Sequence, residues 1–249
     1  MRRAFLLNVG RSLVVVGAAL LVGFASAQAP APAASSSKGK SLNILLIGAS
    51  GMIGSRILSE ATARGHHVVA ASRHPDKIKK SGNVTAIKLD AIDQAAIAAA
   101  AKDVDVIVSA TSPRGGGDPI KEAKAVGDAV IGAAKATGKR VFVIGGAGSL
   151  KTPDGKAVVD TLPAAYKGEA LGMRGVLDSL KTSGASWTFF SPAMSIAPGK
   201  KTGKYRLGTD TVLSNEKGES KISAEDFANA VVDELETPKH LNSQMTIAY

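Results

Sequence analysis

From residue 41 onward the chain alternates between short apolar runs and longer stretches with helical spacing. Leu42–Ile47, His67–Ala71, Val104–Val108 and Arg140–Ile144 are apolar almost throughout, and Val84–Leu89 alternates into Asp90. A strand that faces water on one side alternates strictly, whereas one buried on both faces does not. These runs therefore predict a parallel sheet covered on both sides. Between them, Met52–Arg64, Ala95–Ala101 and Ile120–Thr137 read as helices, and Gly138 ends the last of these. Strands alternating with helices imply right-handed βαβ units.

The second half is less regular. Tyr166–Thr182 reads as a helix and Trp187–Phe190 as a sixth strand. Gly199–Ser214 is polar and punctuated by glycine, which predicts a hairpin or lid. Ala224–Leu235 reads as a helix with Ser223 as its N-cap, and Gln244–Ile247 as a last strand. This half is too short to bury a core of its own and no internal repeat is visible. The expected fold is α/β: a single Rossmann-type, doubly wound parallel sheet over residues 41–249, with helices on both faces.

Ahead of that domain the pattern changes. Arg2 and Arg3 precede an apolar run from Leu13 to Phe24, and Ala25-Ser26-Ala27 supplies small residues at a cleavage site. Residues 1–27 thus read as a secretory signal peptide. A membrane anchor is the competing reading, but the run falls short of the ~20 apolar residues a span needs, so no stable span is expected after signal removal. Arg2-Arg3-Ala4-Phe5-Leu6 has the order of a twin-arginine export motif, the alternative being a general secretory signal that carries two arginines. Residues 28–40, rich in Ala, Pro, Ser, Gly and Lys, read as a flexible tether. The expected location is periplasmic or secreted.

Charge and composition narrow the partners. Arg2, Arg3 and Arg11 lie in the signal, which contains no acid, and removing them takes the formal charge from +10 to +7. Aromatic residues are 4%, too few to stack single-stranded nucleic acid, so the basic excess points to an anionic small ligand or a solvated positive face. With no cysteine the protein has neither a disulfide framework nor a lipoprotein anchor and must rely on its hydrophobic core.

The chemistry starts at Gly48-Ala49-Ser50-Gly51-Met52-Ile53-Gly54, which follows the first strand and opens the first helix. Its position gives the motif its weight. One glycine permits the tight turn, one lets backbone approach a pyrophosphate, and one packs helix on sheet, while N–H groups at the helix start face the phosphates. Gly48, Ser50, Gly51, Met52, Ile53 and Gly54 are therefore candidate dinucleotide-binding positions.

The Gly-x-x-Gly-x-x-Gly spacing, with Ile144-Gly145-Gly146-Ala147-Gly148-Ser149-Leu150, Trp187-Thr188-Phe189-Phe190-Ser191-Pro192-Ala193 and Gly203-Lys204-Tyr205-Arg206-Leu207-Gly208, resembles the atypical short-chain dehydrogenases of the NmrA-like and NADH-flavin reductase group. The resemblance spans nearly all of Ser41–Tyr249. It implies that Asp90 lies near adenine, although Asp90 could equally cap the next helix. It also implies that Ala110 and Thr111 border the nicotinamide ribose and that Pro192 and Ala193 approach the nicotinamide ring. At the end of the second strand an acid would select NAD; Ala71-Ser72-Arg73-His74 instead offers Arg73, with Lys77 nearby, to the 2′-phosphate of NADP(H).

Typical short-chain dehydrogenases use Tyr-x-x-x-Lys for proton transfer. Here Tyr166 is followed three and four places on by Glu169 and Ala170, and Lys167 is adjacent, so the pair is missing and no catalytic residue is assigned. Sugar epimerisation is disfavoured for the same reason. Hydride transfer from NADPH to a small-molecule acceptor, a flavin or quinone, asks less of the protein. The expected function is an NADPH-dependent, flavin-reductase-like oxidoreductase; the alternative is a non-catalytic NADP(H)-binding redox sensor. The four histidines lack metal-ligand spacing.

Overall fold

A computed structural model describes residues 40–249 except Lys80. The signal segment and the tether up to residue 39 lie outside the described residues. The first half runs β1 (Asn43–Ile47), α1 (Met52–Ala63), β2 (His67–Ser72), β3 (Val84–Lys88), α2 (Gln94–Ala100), β4 (Val106–Ser109), α3 (Pro119–Thr137) and β5 (Arg140–Ile144). The second half adds α4 (Val158–Thr161), α5 (Ala164–Thr182), β6 (Trp187–Ser191), β7 (Ser195–Ala197), β8 (Arg206–Gly208), β9 (Lys221–Ser223), α6 (Ala224–Glu236) and β10 (Ser243–Ala248).

Eight strands form one sheet in the order β3-β2-β1-β4-β5-β6-β10-β8. All neighbours are parallel except β8, which runs antiparallel to β10. The chain winds outward from β1 to β3 and then returns to place β4 on the other side of β1. This reversal opens a crevice at the carboxyl ends of β1 and β4, the place where such sheets bind ligands.

Both faces of the sheet are covered, as the unbroken apolar strands require. On one face Ile44, Leu46, Phe142 and Phe190 pack with Ile57 and Leu58 of α1 and Phe227 and Val231 of α6. On the other, Leu45, Ile107, Val143 and Phe189 meet Ile97 of α2, Val130 and Ala134 of α3 and Val176 of α5. Local signals set the helix ends. Asp93 caps α2 by accepting from Ala96 N at 2.9 Å, Asp118 caps α3 by accepting from Ile120 N at 2.9 Å, and Ser223 caps α6 by accepting from Asp226 N at 3.0 Å.

Charges tie α1 to α6. Arg64 donates to Glu60 and Asp233 at 2.7 Å and to Glu236 at 2.8 Å. Burial would push the Arg64 guanidinium down, but Asp233 and Glu60 outweigh it and hold the group above its ordinary value.

The Gly199–Ser214 segment is not a self-contained hairpin. Its strand, β8, pairs with β10, and Gly199–Tyr205 is held on the start of α6. The fully buried Asp226 accepts from Thr202 N and Gly203 N at 2.8 Å, from Thr202 Oγ1 at 2.6 Å and from Tyr249 Oη at 2.8 Å. Glycines and polar residues do favour a turn here, but a carboxylate more than 20 residues downstream decides which one. The short parallel pair β7–β9 is likewise fixed from a distance, with Ser195 N donating to Ser220 O at 3.0 Å.

Candidate cofactor cleft

The loop after β1 turns because position 48 has no side chain. Gly48 has φ +85°, and a Cβ there would lie 2.6 Å from Ala110 O. The N–H groups of Gly48 and Ala49 both donate to Ala71 O, at 3.0 and 3.2 Å, which ties the loop to β2. Gly51 N then donates to Gly48 O at 3.0 Å, and a Cβ on Gly54 would come within 2.1 Å of that same oxygen. The helix therefore starts as close to the strand as backbone allows. Gly51 is the N-cap of α1 and no side chain caps it, so the first-turn N–H groups keep their capacity to bind an anion.

A cleft of about 670 Å³ opens beside this loop. Gly48, Ser50 and Gly51 line its middle, Arg73 and Asp90 one part of its wall, and Ala110 and Thr111 another. Arg73 and Asp90 are exposed. Asp90 accepts from Ile92 N at 3.3 Å, while Asp93 takes the capping role on α2. Ser50 Oγ and Ser72 Oγ share a hydrogen bond of 2.7 Å, and Ser72 Oγ also accepts from His74 N at 3.1 Å, which fixes the start of the Arg73 loop. Ser109 and Thr111 hydroxyls lie 3.1 Å apart. A separate depression of about 690 Å³ around Arg206, Asn215 and Lys221 contains no residue of the glycine loop.

Other candidate positions stand off the cleft wall. Met52, Ile53 and Gly54 form the first turn of α1 without lining it. Pro192 and Ala193 are buried beyond β6, and Ala193 belongs to the core with Ile222 and Phe227. Behind them the hydroxyls of Ser149 and Ser191 lie 2.9 Å apart, and Gln244 Nε2 donates to them at 3.1 and 3.0 Å. Ser149 Oγ donates in turn to Gly146 O at 2.7 Å, so this cluster is closed on itself. Tyr166, on α5, is 62% exposed and does not line the cleft.

The cleft also recruits residues that sequence reasoning passed over. Ser72 organises the β2 loop through partners at positions 50 and 74. Glu122 faces the cleft from the first turn of α3, where an acid reads simply as a complement to the helix dipole. Met173 and Val176 reach it from α5 with ordinary helical spacing that marks them only as core.

Known proteins share this fold. A protein of Burkholderia pseudomallei assigned as exported has a solved structure that matches with TM-score 0.76 and 45% identity, over 84% of this chain and 100% of its own. A Bacteroides thetaiotaomicron protein assigned as an epimerase matches with TM-score 0.78 and 37% identity, over 84% of this chain and 98% of its own. A Streptococcus pneumoniae protein assigned as an NADH-flavin reductase matches with TM-score 0.74 and 31% identity, over 83% and 99%. Residues 48–238, from the first glycine of the loop to beyond α6, match the sequence profile of a family described as NAD(P)H-binding. The match takes in the glycine loop, the cleft walls and the helices that cover the sheet, and the chain belongs to this NAD(P)H-binding family.

Proposed function

We propose that the protein is an NADPH-dependent oxidoreductase that reduces a flavin or a quinone. The observation that carries this is the makeup of the cleft: a glycine loop with uncapped N–H groups, Arg73 where an acid would select NAD, the hydroxyls of Ser109 and Thr111, and an apolar wall that includes Val130, Met173 and Val176. When bound, the nicotinamide supplies the hydride. The N–H groups at the start of α1 would hold the pyrophosphate, Arg73 would pair with the 2′-phosphate, and Ala110 and Thr111 would border the ribose. Pro192 and Ala193 stand off the cleft wall and are given no part in holding the ring. No proton needs to leave a tyrosine for this chemistry, in keeping with Tyr166 standing away from the cleft without a lysine four places on. The Streptococcus pneumoniae relative supports the reaction class.

A second reading is a non-catalytic NADP(H)-binding sensor. It is favoured by the Ser149–Ser191–Gln244 cluster, whose hydroxyls are engaged with one another. The deciding experiment is NADPH oxidation by the purified domain, with and without FMN, riboflavin or a soluble quinone, alongside calorimetric NADPH binding. Turnover that depends on an added acceptor supports the reductase. Binding with no turnover selects the sensor, and absence of binding removes both.

The domain is further proposed to work outside the cytoplasm. Residues 1–27 would act as a twin-arginine signal and residues 28–40 as a tether to the domain at 41–249. The exported Burkholderia pseudomallei relative supports this.

A further inference from the structure

The wall of the cleft at Ala110–Ser112 continues into Pro113-Arg114-Gly115-Gly116-Gly117, and Pro113 and Gly115 line the cleft themselves. Three glycines in a row would ordinarily leave such a segment loose. Here two carboxylates from two helices hold it. Glu122 of α3 accepts from Gly115 N at 2.8 Å through one oxygen and from Gly117 N at 2.7 Å through the other. Gly116 between them has φ +95°, the left-handed conformation that lets flanking N–H groups converge on one anion. The fit is close: a Cβ on Gly117 would sit 2.8 Å from Glu122 Oε1. Glu169 of α5 adds a two-pronged pair with Arg114, each contact 3.2 Å, and Asp118 anchors the far end by capping α3.

We propose that Glu122 is a positioning residue for the cofactor, holding Pro113–Gly117 as a closed rim whose release limits how fast the dinucleotide leaves. A cofactor lying along Ala110 and Thr111 meets this backbone directly. Two charge-assisted bonds to separate oxygens are what a carboxylate can give and an amide cannot, because one amide position is itself a donor. The Arg114–Glu169 pair is exposed and adds less. The proposal rests on NADPH as the bound cofactor.

Stopped-flow measurement of NADPH release and capture by the intact domain tests it. Glu122→Gln is expected to speed release by about fivefold to tenfold with capture changed by less than about twofold, since only the closed form loses a bond. Arg114→Ala is expected to speed release by about twofold at low salt, and the difference should vanish at high salt. Lys124→Ala, on the exposed face of α3, should leave both rates alone. Simple electrostatics gives the opposite sign, because deleting a negative charge beside a polyanion slows its release. Slower or unchanged release from Glu122→Gln, in protein that still binds NADPH, overturns the rim proposal and leaves the proposed function standing. Failure of the unmodified domain to bind NADPH overturns both.

Discussion

Arg73 stands where β2 gives way to the loop that lines the cleft, exposed and next to a serine whose hydroxyl holds the following residue in place. A 2′-phosphate reaching that point meets a planar, permanently charged donor, while an NAD ribose gains nothing from it. NADPH is therefore expected to bind more tightly than NADH by roughly 1.5–3 kcal/mol, on the order of tenfold to a hundredfold. Arg73→Asp should erase or invert the preference. Titration calorimetry checks both, and equal affinities in the unmodified protein would refute the role. Arg73 and the glycines could be named from sequence because their meaning comes from position relative to a strand end. Ser72 and Glu122 could not, since each acts through partners that only the folded chain brings within reach.

Among the elements, the α6 N-terminus has a second duty as the anchor of the Gly199–Tyr205 segment. Burial pushes the Asp226 carboxyl up, but hydrogen bonds from Thr202, Gly203 and Tyr249 outweigh it and hold the group below the ordinary value of 3.8. A carboxylate depressed in the folded state stabilises above its unfolded pKa and loses that contribution as pH falls through the lower, folded one. Asp226→Asn is thus expected to cost about 1–3 kcal/mol near neutral pH. The gap between variant and parent should narrow below pH 3.8, as denaturant unfolding at stepped pH would reveal. On α5, Tyr166→Phe should leave reductase turnover within about threefold, whereas a true general acid contributes about 10²–10⁴-fold. A loss of that size with NADPH binding intact would restore a tyrosine-dependent mechanism. The long elements were legible in the chain because burial on two faces leaves β1, β2, β4 and β5 without polar interruptions, and because Gly138 and Ser223 punctuate α3 and α6. The short strands β7, β8 and β9 were not, because three residues carry no period and their partners lie far along the chain.

At the scale of the whole molecule, the proposed export would place an NADP(H)-using domain where that cofactor is not made. A route that carries folded proteins could deliver it already loaded, since binding stabilises the fold by mass action. Replacing Arg2 and Arg3 together by lysine should deplete the periplasmic fraction; undiminished periplasmic protein would show the pair to be an ordinary positive flank. The cleft rests on a continuous backbone contact. β1 and β4 are direct neighbours with Ile47 opposite Ser109, Ala110 N donates to Ile47 O at 2.9 Å, and Gly48 abuts the Ala110 carbonyl. The glycine loop and the Ala110–Thr111 wall are consequently held together by backbone contacts at the ends of two paired strands. The span between them is set by this packing before any ligand arrives. The rim beyond the wall keeps its shape through the carboxylates of Glu122 and Glu169 instead, so the site joins a border fixed by backbone packing to one fixed by charge.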